Sequence, residues 1–270
     1  MYITPYGEDS LLIFDNCQYS ANRQIAKNAK IAFPKENFLE LRKIATPDIK
    51  TISDLSNFLG IPESRTAKAV FMIANISDEN HTIEKFIFAI TRGDMVLNET
   101  KLLNAINATD LRAATEDEIV AIGAVPGYAS PIGILSNNSY LPVITVVDDL
   151  IPDSTNLVAG ANETGYHLLN TNFGRDYKAD IIADITAAQD GDTCIHCGSA
   201  MRMARGVEVG NIFQLGTRYS KDMGATFQDR DGSQKPVIMG SYGIGSGRLL
   251  ACVAEENHDD WGLIWPISVA

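Results

Sequence analysis

Two stretches hold residues whose type and spacing could do chemistry. The first is "GSYGIGSGRLLA", residues 240–251, where four glycines fall within eight positions ahead of Arg248 and an apolar, helix-like run. Glycines let a flat ligand lie against the backbone, and a guanidinium can stack on a base or pair with phosphate. Two common nucleotide templates fail here. Counted from Gly243, the sixth position of a Gly-x-Gly-x-x-Gly fingerprint is Arg248, and no Gly-Lys-Ser/Thr closes the loop. A ligand cradle and a tight strand-to-helix turn, with its arginine on a carboxylate, both stay open. The second stretch is "GDTCIHCGSAM", whose Cys194 and Cys197 supply half of a tetrahedral zinc shell. Cys17 and Cys252 stand alone in the sequence, and His196 and His167 could join a mixed site. The expectation is a reduced Cys-containing turn with no metal.

The elements that must position these residues follow from periodicity and punctuation. "LLIFD" reads as a short strand, "NCQYSANRQIAKNAK" as a polar helix and "PKENFLELRKIATPDIKT" as a linker. "TISDLSNFLG" is a compact helix with Thr51 as cap and Gly60 as stop. "AVFMIA" and "EKFIFAITRGD" are strands, followed by a helix in "NETKLLNAIN". "TEDEIVAIG" is a second helix, with Thr115 and Glu118 at capping-box spacing. "VPGYASPIGI" is a loop, "LPVITVVDD" a strand and "GYHLLNTNFGRDY" an extended piece. Beyond residue 185 the pattern turns hairpin-like, with strands at "VEVGNIFQLG", "GATFQD" and "PVIMGSYG" before a helix over "GRLLACVAEENH". No strict βαβ rhythm is present, so the class is α+β with a mixed sheet.

The chain of 270 residues is 45% hydrophobic, enough for two cores. Its net charge of -12 argues against general nucleic-acid binding, which needs a basic surface, so any contact with RNA must be local. The start "MYITPYGEDSLLIFD" has no export-signal pattern, and no apolar run is long enough to span a membrane. A cytoplasmic location, away from membranes, is expected.

"VEVGNIFQLGTRYS" followed by "MGSYGIGSGRLLACVAEENHDDWGLIWP" resembles the closing part of the bacterial-type prolyl-tRNA synthetase catalytic domain, including motif 3 of class II synthetases. "GEDSLLIFDNCQYSAN" looks like the piece after motif 2 in that family, and the segment between resembles its inserted editing domain. The resemblance implies three parts: residues 1–20 from the catalytic domain, 21–190 as an editing, aminoacyl-tRNA deacylase-like domain, and 191–270 with motif 3. The implied fold is a mixed-sheet editing domain inserted into a partial class II antiparallel-sheet domain.

By the same resemblance Lys68 matches the family's functional lysine, and Gly127 to Pro131, "GYASP", its Gly-x-x-x-Pro loop. Arg92, Asp94 and Asn98 would shape the pocket, His167 would line its small-amino-acid end, and Gly160 would turn beside it with Ala161 and Asn162. Arg248 would contact ATP above a floor of Gly243, Gly245 and Gly247, while Asn211 and Ser241 depart from the family pattern near the amino-acid pocket. The implied activity is hydrolysis of alanyl-tRNA-Pro, with alanine admitted and proline excluded as in a second sieve. Its partners would be the tRNA-Pro acceptor end and alanine, with a homodimer through the parent synthetase. Editing needs no cofactor, whereas ATP with Mg would serve only the full synthetase. No Arg-x-Glu of motif 2 occurs, so ligation by these residues alone is not expected. Two alternatives remain: a portion of a complete ligase, or a non-catalytic tRNA- or partner-binding remnant.

Overall fold

The computed structural model describes residues 1–14, 17, 19–78, 81–134 and 141–269. The chain forms two units: a central one, Phe14–Met201, and a split one built from Met1–Ile13 and Arg202–Ala270. The class is α+β.

In the central unit we number β1 (Arg42–Ala45), α1 (Ile52–Leu59), β2 (Ala67–Asp78), β3 (His81–Arg92), α2 (Glu99–Ala105) and β4 (Ala108–Ala113). There follow α3 (Glu116–Ala121), β5 (Val143–Asp148), β6 (Leu157–Gly160), β7 (Tyr166–Thr171) and β8 (Ile181–Ala183). The main sheet runs β8-β5-β3-β2-β4; β2 is antiparallel to β3 and β4, while β5 is parallel to β3 and β8. A second sheet, β6-β7-β1, is antiparallel throughout.

Both faces of the main sheet are covered, so its central strands are apolar at successive positions rather than at alternate ones. Ile73, Phe86, Phe88 and Ile90 pack with Ile119 of α3, Ile122 and Val147 on one face. Met72, Ile87, Ala89 and Val146 pack with Leu102 of α2 and Ile185 on the other. Period-2 alternation sends neighbouring strand residues to these two interiors. The helices start where their caps are: Thr51 accepts from the Asp54 N–H, Asn98 from Lys101, and Thr115 and Glu118 form a complete capping box.

Two expectations fail locally. The helix expected over residues 16–30 is instead strand Ser20–Asn22, a turn, and strand Asn28–Ala29; Asn16 and Gln18 lie outside the described residues. The Asn22 side chain accepts from the Gln24 N–H, and its carbonyl accepts from Ile25 and Ala26, a local arrangement that competes with helix. The expected linker contains β1, an edge strand with mostly exposed residues and therefore no apolar signature.

In the split unit Arg202–Val207 pairs antiparallel with Tyr2–Ile3 and Asp9–Ile13. Gly210–Gly216 pairs with Met239–Ile244, Thr226–Gln228 with Gln234–Pro236, and a helix spans Ser246–Glu256. No helix among the described residues is long and apolar enough to cross a membrane.

Candidate active site

A cavity of about 400 Å³ opens in the central unit beside the start of β2. Lys50, Thr51 and Leu55 line it from α1 and the residue before its cap, Lys68 and Phe71 from β2, Gly127 and Ala129 from the loop after α3, and Gly160 and His167 from the second sheet. Of the residues singled out by sequence, the structure therefore gathers Lys68, Gly127, Gly160 and His167.

The loop is held by close backbone contact. A Cβ on Gly160 would stand 2.0 Å from the Tyr128 carbonyl carbon, so only glycine lets the loop rest on β6. Gly127 has φ +81°, and a Cβ there would come within 3.0 Å of the Lys50 stem. Asn162, at φ 51°, clamps the other side. Its N–H donates to the Tyr128 carbonyl at 2.8 Å, and its Oδ1 accepts from the Ser130 N–H at 3.0 Å. Its Nδ2 donates to the carbonyls of Ser130 at 2.9 Å and Ile132 at 2.8 Å. Pro131 closes the loop outside the cavity lining. The Ala129 N–H, in contrast, has no hydrogen-bond partner among the described residues.

His167 lies opposite Gly160 across the β6·β7 ladder and is 5% exposed. Its Nδ1 is 2.6 Å from the Thr46 hydroxyl, and its ring centroid is 5.4 Å from that of buried Tyr128. Burial pulls its pKa down to about 4, so the ring is neutral at pH 7. It forms an uncharged wall. No carboxylate among the described residues pairs with Lys50 or Lys68, so two ammonium groups border the cavity without a fixed counter-charge.

Arg92, Asp94 and Asn98 stand elsewhere. Arg92 is 5% exposed and grips Asp94 with Nε at 2.6 Å and Nη2 at 2.8 Å, while Nη1 donates to the Ile31 carbonyl. Arg92 and Asp94 border a separate depression with Lys30 and Asp192. Asn98 caps α2 and donates to the carbonyls of Arg23 and Gln24. Beneath them the Lys30 ammonium sits 2.6 Å from Asp148, 2.5 Å from Asp149 and 2.8 Å from Asp184. These acidic side chains meet metal-like spacing, but Lys30 already bridges all three and Lys101 also reaches Asp184.

In the split unit Arg248 donates to the Glu208 carbonyl at 3.0 Å rather than to a carboxylate, and lines a depression with Tyr2, Tyr6 and Glu255. Gly243 pairs with Asn211, Gly245 precedes the helix and Gly247 lies in its first turn. None of these glycines has positive φ, and a Cβ on Gly243 or Gly247 would meet nothing within 4 Å.

Sequence reasoning missed Lys50 and Thr46, which stand beside Gly127 and His167. The available signal was the Thr51 cap, because the residue before a helix N-terminus stands beside its free N–H groups.

Residues 46–177 match the family model described as the aminoacyl-tRNA editing domain. The whole chain is 52% identical over 271 residues to the proline–tRNA ligase of Salinispora tropica, covering 44% of that protein. It is 44% identical over 270 residues to that of Dehalococcoides mccartyi, covering 45%, and 41% identical over 276 residues to that of Thermoanaerobacter sp., covering 46%. The chain thus spans less than half the length of these relatives.

Proposed function

We propose that the chain is part of a proline–tRNA ligase, that its residues 46–177 act as an aminoacyl-tRNA editing domain, and that the cavity bordered by Lys68 hydrolyses mischarged alanyl-tRNA-Pro. Water adds to the ester carbonyl, the bond to the ribose oxygen breaks, and alanine and a free tRNA 3′ end leave. No protein nucleophile is required. His167 is neutral and engaged with Thr46, and the Thr51 hydroxyl caps α1. What remains are donors: the Ala129 N–H for the developing oxyanion, and Lys68 and Lys50 for the carbonyl or the 3′-terminal phosphate. Phe71 and Leu55 bound the space that admits alanine and excludes the proline ring.

The observation carrying this reading is the convergence of Lys68 with the Gly127–Ala129 loop on Gly160 and His167 around one cavity. It is tested by deacylation of alanyl-tRNA-Pro with Lys68→Ala, where loss of a charged donor should slow turnover about 100-fold with the fold retained. Unchanged turnover would remove Lys68 from the chemistry.

The split unit supports a companion proposal. Its two segments flank the central unit in sequence, the arrangement of a domain inserted into another. We assign it to the synthetase catalytic domain, with Arg248 and the space over Gly243, Gly245 and Gly247 serving ATP and Mg in a complete ligase.

A further inference from the structure

The fold brings Cys17 to the Cys-x-x-Cys pair. Sγ of Cys17 is 3.9 Å from that of Cys194, and the ligand atoms of Cys17, Cys194 and Cys197 all lie within 4.8 Å of one another. Two thiolates held about 2.3 Å from one tetrahedral ion stand about 3.8 Å apart, close to the spacing seen.

The turn carrying the pair is shaped for a metal. Cys194 pairs with Asn28 at the end of a two-residue ladder, and its N–H donates to the Ser199 carbonyl at 2.8 Å. The chain then folds back: the Gly198 N–H donates to the Cys194 carbonyl at 3.1 Å, and Gly198 takes φ +72°. Inside this turn the His196 N–H points at Cys194 Sγ, 3.3 Å away. Cys197, by contrast, stays accessible to an incoming ion.

We propose that Cys17, Cys194 and Cys197 bind one zinc ion as thiolates. The fourth position is left to solvent or to His196, whose ring otherwise rests 5.0 Å from Tyr19. The three cysteines sit on the two segments by which the chain enters and leaves the central unit, so the ion ties these segments together. The motif's spacing alone offered two ligands; the third comes from a residue 177 positions away in the chain.

The test uses the reduced, chelator-treated chain titrated with Co²⁺ and then Zn²⁺ against a chromophoric chelator. The expected result is one ion per chain, with a near-ultraviolet thiolate-to-cobalt charge-transfer band that zinc abolishes. Cys197→Ser alters an exposed side chain and leaves folding intact, and it should weaken binding at least tenfold, as should Cys17→Ser. Cys252→Ser, in the split unit, should bind like the parent. The proposal is overturned if the reduced chain gives no charge-transfer band, or if Cys17→Ser binds zinc as tightly as the parent. A chain that oxidises to a Cys17–Cys194 disulfide but binds no ion when reduced overturns it as well.

Discussion

Glycines serve opposite purposes in the two units. At Gly160 a methyl group would collide with the Tyr128 backbone, so the residue is dictated by the packing of its own fold. At Gly243 and Gly247 the space a Cβ would take is empty and φ is negative, so the fold around them does not require glycine. Burial follows the same division. The central unit encloses Phe86, Phe88, Ile90 and Tyr128, whereas Ile212, Tyr242 and Trp261 of the split unit are 79%, 80% and 96% exposed. A glycine that packing explains speaks about the fold. One that packing leaves unexplained has room for the ATP floor proposed there.

The largest effect expected from the central unit's buried interior is that of Lys30→Ala. It would leave Asp148, whose side chain is 0% exposed, without its counter-charge, at a cost of about 4 kcal/mol in urea unfolding. A loss below 1 kcal/mol would mean that water reaches the site.

Second in size is a pH effect. The folded pKa of His167 is about 4 against an ordinary 6.5, so below pH 6.5 the unfolded chain takes up a proton that the folded one refuses. The stabilisation is complete above pH 6.5 and lost progressively down to about pH 4, amounting to about 3 kcal/mol at 1.36 kcal/mol per pKa unit. Unfolding curves of parent and His167→Gln across that window should diverge by this amount. Parallel curves would show that the ring is hydrated.

The glycine contrast itself is tested by a matched pair. Gly160→Ala should cost about 2 kcal/mol by overpacking and misplace the Gly127–Ala129 loop. Gly247→Ala, in the first turn of its helix with open space around it, should stabilise by about 0.5 kcal/mol. Equal effects on calorimetric unfolding would erase the distinction.

Sequence patterns located the capped helices and the long hairpin because caps and apolar runs are local signals; Thr115 and Glu118 even form the expected box. The mixed α+β class followed from them. Edge strand β1 escaped because few of its residues are buried, and the helix expected over 16–30 failed where the Asn22 side chain supplies a rival turn bond. Of the residues the family resemblance names, Lys68, Gly127, Gly160 and His167 line one cavity. Arg92 and Asp94 do not, since adjacency to a strand end does not say which side of the fold a side chain will meet. Arg92 turns to the Ile31 carbonyl, a contact across 61 positions that no local pattern encodes. Lys50 is marked in the sequence only by its place before the Thr51 cap, and its contact with Gly127 comes from the tertiary fold.

The central claim is that this cavity is an editing site selective for a small amino acid, and the most direct measurement is amino-acid release from alanyl-tRNA-Pro and prolyl-tRNA-Pro by the unmodified chain. The account predicts alanine release well above the spontaneous rate and proline release at that rate. Spontaneous rates for both substrates, or equal acceleration of both, would contradict it.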